Sequence, residues 1–178
     1  MTTSPAPTVP RGLVDFAGTT IVGVDEVRCR LDELAGHRVA LVGDPRLVAR
    51  LVGRLAGRAT TVKVFQHDPV WVLPRLAGPA AELAGRMRTP VPRPIARWID
   101  TALAERNLRH QVTDGWTRRQ LTPSTAPTRA NLVYSNRYYR ALRRSDVQLV
   151  TWPIAGVVAA GIRTADGLEH HVDVIVAV

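Results

Sequence analysis

Arg38-Val39-Ala40-Leu41-Val42-Gly43-Asp44-Pro45, running on into Arg46-Leu47-Val48-Ala49-Arg50-Leu51-Val52, decides the fold. An unbroken apolar run ends at Gly43 and a helical pattern starts at once. A buried parallel strand that passes through a glycine into a helix opens a dinucleotide-binding βαβ unit. Thr61-Val62-Lys63-Val64-Phe65-Gln66 reads as the second strand of that unit. The strand-helix-strand pattern is clear, whereas most of the glycines that would cradle a phosphate are missing.

Working outward, 178 residues make one domain with room for a real core, and 46% hydrophobic residues is ordinary for a globular chain. No apolar run approaches the roughly 20 residues of a membrane span. Met1 to Pro10 is rich in Thr and Pro and has neither a basic start nor a hydrophobic stretch, so it is no signal peptide, and the cytosol is the expected compartment. Cys29 is the only cysteine, which excludes an internal disulfide and a cysteine-built metal site. The net charge is +9 and Lys63 is the only lysine. The arginines are spread along the chain as a solvated surface would be, although such a surface attracts polyanions.

In chain order, residues 1–12 read as a flexible Pro-rich leader, and residues 13–178 as a single α/β domain. Val27 to Leu34 suggests a turn of helix. The helix from Pro45 to Ala56 sets Leu47, Val48, Leu51, Val52 and Leu55 on one face. Arg46, Arg50, Arg54 and Arg58 recur on another at a spacing where like charges repel. Pro69 to Pro79 reads as a loop, Ala80 to Arg88 as helix, and Thr89 to Pro94 as a proline-broken connector. Ile95, Trp98, Ile99, Ala102 and Leu103 fall on one helical face, predicting a helix to Leu108. A short strand at Asn131–Ser135, a short helix at Arg137–Arg143 and a strand at Val147–Thr151 follow. Gly156–Arg163 and Leu168–Val172 flank Thr164-Ala165-Asp166-Gly167 as a hairpin, before a last buried strand, Val172 to Val178.

From Phe16 onward the sequence resembles the NADPH-binding domain of flavin-containing monooxygenases of the Baeyer–Villiger type. Val39-Ala40-Leu41-Val42-Gly43 is similar to the strand that opens that domain. Val64-Phe65-Gln66-His67-Asp68-Pro69-Val70-Trp71 is similar to the family stretch Phe-Gln-Arg-Ser-Pro-x-Trp. Arg118 to Pro123, Ser135 to Leu142, Val147 to Val150, Thr164 to Gly167 and Asp173 to Val176 resemble later segments in the family's order. The fold implied is a Rossmann-like three-layer α/β domain with a mainly parallel central sheet and a C-terminal β-hairpin.

The resemblance implies NADP as cofactor, with Gly43, Asp44, Arg46, Gln66 and His67 as the candidate cofactor-binding residues. Several motif positions depart from the family. Of Gly-x-Gly-x-x-Gly/Ala only Gly43 remains; Pro45, bulkier and without an N–H, takes the second place and Val48 the third. The arginine that meets the 2′-phosphate of NADP falls on His67, with Asp68 beside it; Lys63 and Arg75 are the cations able to compensate. The Lys-Arg pair whose arginine stabilises the flavin peroxide falls on Ala130 and Asn131, with Arg129 next to them. The fingerprint Phe-x-Gly-x-x-x-His-x-x-x-Trp/Pro opens correctly at Phe16 and Gly18, then meets Val22 and Glu26. The FAD-binding half has no counterpart in this chain, so no FAD is expected on it alone and no catalytic residue is assigned.

Elsewhere, His170 and His171 are strand neighbours that point to opposite faces, and His37, His67 and His110 lack ligand spacing, so no metal site is expected. No Gly-x-Ser-x-Gly or Gly-Lys-Ser/Thr motif is present. Arg137, Arg140, Arg143 and Arg144, interleaved with Tyr134, Tyr138 and Tyr139, form the densest basic patch, a mixture that suits a nucleic-acid backbone, though the family segment is also Tyr-rich. Three readings stand. The chain is a degenerate, non-catalytic monooxygenase-like domain acting through a partner. Alternatively, it is an NAD(P)H-binding subunit serving a separate flavoprotein, or a basic nucleic-acid-binding module.

Overall fold

The computed structural model describes residues 12–75, 93–128 and 130–178. Five strands form one parallel sheet: β1 (Thr19–Val22), β2 (Arg38–Val42), β3 (Thr61–Phe65), β6 (Val147–Val150) and β10 (Val174–Ala177), in the order β1-β10-β2-β3-β6. Two shorter assemblies accompany it. β4 (Trp71–Leu73) pairs in parallel with β5 (Leu132–Tyr134). β7 (Ile154–Val158), β8 (Gly161–Thr164) and β9 (Glu169–His171) form an antiparallel sheet. The helices are α1 (Val24–Cys29), α2 (Pro45–Leu55), α3 (Arg93–Gln111), α4 (Gly115–Gln120) and α5 (Tyr138–Leu142).

The apolar runs are continuous because both faces of the central sheet are covered. Val39 and Leu41, Val62 and Val64, and Val174 and Val176 point into the helix-side core with Val48, Leu51, Val52 and Leu55 of α2. Their alternates Ala40 and Val42, Phe65 and Ile175 point the other way, against Val157, Ile162 and Val172 of the antiparallel sheet and its flank. The third layer is therefore a β-sheet, and the α/β fold with its parallel sheet and C-terminal hairpin is as expected.

Several elements differ from the sequence reading. Thr19–Val22, to which the sequence reading assigned no element, is an edge strand recruited by pairing with β10. Trp71 lies in β4 rather than in a loop, with its indole Nε1–H donating to the Thr125 carbonyl at 2.7 Å. Gly156–Arg163 is split: β7 and β8 form their own hairpin, which Gly161 permits at a φ of 155°. α4, not expected from the sequence pattern, starts at an Asp114 cap whose carboxylate accepts the Thr117 N–H at 2.7 Å.

α3 runs beyond both expected ends and turns a different face inward. Ala104 and Leu108 are buried, while Trp98, Ile99 and Leu103 are exposed, Trp98 at 71%. The helix docks on Trp71 and Leu73 through the small Ala104, so the larger apolar arc faces out. Residues 1–11 of the leader, the helix at 80–88 and the connector at 89–92 lie outside the described residues. Among the described residues no helix is long and apolar enough to cross a membrane.

Candidate functional site

The chain leaves β2 for β3 on one side, while β10 lies on the other, so the carboxyl end of β2 is the topological switch point where open α/β sheets bind ligands. Gly43, Asp44 and Arg46 stand there. Gly43 has a φ of 128°, and a Cβ at this position would run into the Val178 carbonyl. Only glycine can make this bend.

The residues that follow satisfy the helix end from within. Asp44 is the N-cap of α2, and its Oδ1 accepts the backbone N–H of Arg46 at 2.7 Å and that of Leu47 at 3.4 Å. The Arg46 guanidinium closes on the same carboxylate, Nε to Oδ1 at 3.2 Å and Nη2 to Oδ2 at 2.9 Å. The Asp44 backbone N–H donates to the Val178 carbonyl at 2.7 Å. Burial pushes the Asp44 carboxyl upward, but the Arg46 guanidinium and the N–H groups outweigh it and hold the group below its ordinary range. Pro45 fills the first helical position, where a missing N–H costs nothing. Val48 is fully buried in the helix-side core. This corner thus presents an incoming pyrophosphate with a carboxylate rather than with free N–H groups.

The end of β3 is organised in the same inward way. Gln66 is 4% exposed; its Oε1 accepts the Tyr138 hydroxyl at 2.7 Å and its Nε2 donates to the Asp68 carbonyl at 3.1 Å. Full burial drives the Tyr138 hydroxyl's pKa far upward, so it remains a neutral donor. His67 is exposed, its Nδ1 3.2 Å from the Thr151 carbonyl. The proposed compensating cations point elsewhere: Lys63 Nζ reaches the His171 carbonyl at 3.5 Å, and Arg75 Nε donates to the Tyr134 carbonyl at 3.0 Å.

Asn131, on the position the resemblance gives to an arginine, is a loop staple. Its Oδ1 accepts the Thr128 N–H at 2.7 Å and the Thr128 hydroxyl at 3.0 Å, and its Nδ2 donates to the Thr125 Oγ1 at 3.0 Å. Its carbonyl accepts the Trp71 N–H at 2.8 Å, tying the loop to β4. Arg129 lies outside the described residues. At the fingerprint, Gly18 lets the chain pass between the Phe16 ring and the Asp173 carbonyl, while Glu26 pairs with Arg30 at 3.4 Å on the surface of α1.

Among the described residues no three His, Cys, Asp or Glu side chains group as metal ligands. His170 is buried against the edge of Phe65 and 3.2 Å from the Thr164 Oγ1, whereas His171 is exposed. Tyr138 and Tyr139 are buried, so the basic patch keeps only Tyr134 as an exposed ring.

No protein-family profile matches the chain. It is 35% identical over 191 aligned positions to an uncharacterised monooxygenase of Mycobacterium tuberculosis, covering 93% of this chain and 37% of the relative. It is 26% identical to a Baeyer-Villiger monooxygenase of Streptomyces coelicolor, covering 81% of this chain and 32% of that one. Among solved structures, an open crystal structure of cyclohexanone monooxygenase superposes with a TM-score of 0.72 at 22% identity, covering 96% of this chain and 45% of that one. OTEMO in an FAD-bound form superposes with a TM-score of 0.74 at 18% identity. The chain spans about a third of the length of the curated relatives it matches. Over most of its own length it is related to Baeyer–Villiger and FAD-binding monooxygenases and has the α/β fold of one of their domains.

Proposed function

We propose that this chain is a monooxygenase-related domain that does not oxidise a substrate by itself and acts through a partner polypeptide that binds flavin. The observation that carries this reading is the Asp44 carboxylate, which holds the N–H groups of α2 and the Arg46 guanidinium that a pyrophosphate would otherwise engage. The use of Asn131 as a loop staple supports it from a second position. The outward apolar arc of α3, with Trp98, Ile99 and Leu103, supports a protein partner over a free-standing enzyme. The expected compartment is the cytosol.

The competing reading, a subunit that supplies NAD(P)H to a separate flavoprotein, draws on the relationship alone. Calorimetric titration with NADPH and NADH separates the two. Wild type is expected to give no saturable heat up to millimolar dinucleotide. Asp44→Ser keeps a helix cap while removing the charge, and is expected to bind NADPH at least tenfold more tightly, about 1.4 kcal/mol. Micromolar binding by the wild type would overturn the proposal in favour of the dinucleotide-binding subunit.

A further inference from the structure

A second cleft, of about 450 Å³, opens beside α2 and shares none of the five candidate residues. Five arginines line it: Arg28, Arg50, Arg54, Arg75 and Arg137, with Tyr134 at the wall. Among the described residues no aspartate or glutamate belongs to its lining. Arg50 and Arg54 are one turn apart on α2, where like charges repel. Among the described residues neither they nor Arg137 has a carboxylate partner, and only Arg28 is paired, with Asp25 at 3.1 Å.

The packing brings these charges together. Gly53 lies inside α2, where glycine is less favourable than alanine. A Cβ there would lie 2.5 Å from the Arg137 Cβ, so the glycine is what lets the 135–137 turn close on the helix beside Arg50 and Arg54. Arg75 is fixed on the far side. Its N–H donates to Asn136 Oδ1 at 2.7 Å, Asn136 Nδ2 returns a bond to the Arg75 carbonyl at 3.1 Å, and Arg75 Nε is anchored on the Tyr134 carbonyl. The packing thus gives up helix propensity and gathers Arg50, Arg54 and Arg137, none with a carboxylate partner among the described residues, around one concavity whose field favours anions.

Guanidinium forks match phosphate oxygens bidentately, and the cleft volume falls in the range of small-molecule sites. Tyr134 is 50% exposed and offers a flat apolar face at the edge of the charged region. We propose that this cleft binds a free nucleoside di- or triphosphate, which unlike a dinucleotide ends in an unesterified phosphate, with the phosphates on Arg50, Arg54 and Arg137 and the base stacked on Tyr134. The site is independent of the Asp44 corner.

Calorimetric titration of the intact chain with ATP at 0.15 M salt tests this. Wild type is expected to show saturable one-to-one binding, and Arg50→Gln with Arg54→Gln to weaken it at least tenfold. Removing like charges leaves that variant's unfolding temperature unchanged or raised, so loss of binding is separable from loss of fold. Tyr134→Ala is expected to weaken ATP severalfold without affecting inorganic tripolyphosphate. Asp44→Ser is expected to leave ATP affinity unchanged, which keeps this test distinct from that of the dinucleotide corner. Absence of saturation at millimolar ATP, full binding by the double variant, or equal affinity of wild type for ATP and tripolyphosphate would each overturn the proposal.

Discussion

At Asp44 one carboxylate does what a bound phosphate does at other helix ends: it accepts the N–H groups of Arg46 and Leu47 and neutralises a guanidinium. Asp44→Ala should therefore cost about 1 kcal/mol or somewhat more, and Asp44→Ser much less, in urea unfolding. Asn131 is used similarly for structure. Losing its side-chain bonds in Asn131→Ala should cost about 1–2 kcal/mol, and Asn131→Arg should be no better tolerated, since an arginine cannot accept from Thr128. Asp173 gives a pH signature. Its carboxylate accepts the Arg38 N–H at 2.8 Å and the guanidinium at 2.6 Å, which lower its pKa to about 2. The folded value lies below the ordinary 3.8, so the contribution is complete above pH 4 and is lost as pH falls towards 2. Both partners are more than a third exposed, which limits the effect to about 1 kcal/mol or less. Unfolding of wild type and Asp173→Asn should differ at pH 5 and converge near pH 2.

The elements divide by how local their causes are. β2, α2 and β3 were legible because burial on both faces leaves continuous apolar runs, and because glycine, Asp44 and Pro45 mark a helix start within three residues. The start of the helix at Pro45 was legible, whereas the Asp44 cap and its consequence for a phosphate needed the carboxylate's actual partners. β1 and β4 were not legible, since a strand of three or four residues is fixed by the partner it pairs with rather than by its own pattern. The buried face of α3 was not legible for a physical reason: periodicity finds an apolar arc but cannot say whether this chain covers it, and here the docking side is the one carrying Ala104 and Leu108. Truncations should expose that asymmetry. Leu108→Ala is expected to cost about 2–5 kcal/mol, whereas Trp98→Ser and Leu103→Ser should each stay within about 0.5 kcal/mol in the isolated chain. Equal costs at Leu103 and Leu108 would mean that the outer arc is packed in solution.

On the scale of the whole molecule, charge and packing answer to different constraints. Eight ion pairs occur among the described residues, and all but the part-buried Arg46–Asp44 pair have at least one exposed partner, so most of them tune the surface more than they stabilise the fold. They leave the net charge of +9 untouched, and that charge alone makes the chain attract polyanions. The arginine stripe of α2 and the patch around Arg137 were visible separately, but the cleft was illegible in one dimension because its parts come from α1, α2, the end of β4 and the 135–137 turn. A diffuse field and a built concavity respond differently to salt and to mutation, and this decides what duplex DNA should do. With Tyr138 and Tyr139 buried, the patch around Arg137 to Arg144 keeps Tyr134 as its one exposed ring, too little to stack successive bases along a strand. DNA should therefore bind weakly, with dissociation constants of roughly 10⁻⁴ to 10⁻⁶ M that rise steeply and log-linearly with salt. Two unrelated duplexes of equal length should bind alike, and Arg50→Gln with Arg54→Gln should lower the salt slope only by the few contacts removed. Fluorescence anisotropy across 50–300 mM salt measures this. Tight binding at 150 mM that distinguishes the two duplexes would make nucleic-acid recognition, and not a flavin-binding partner, the function to pursue.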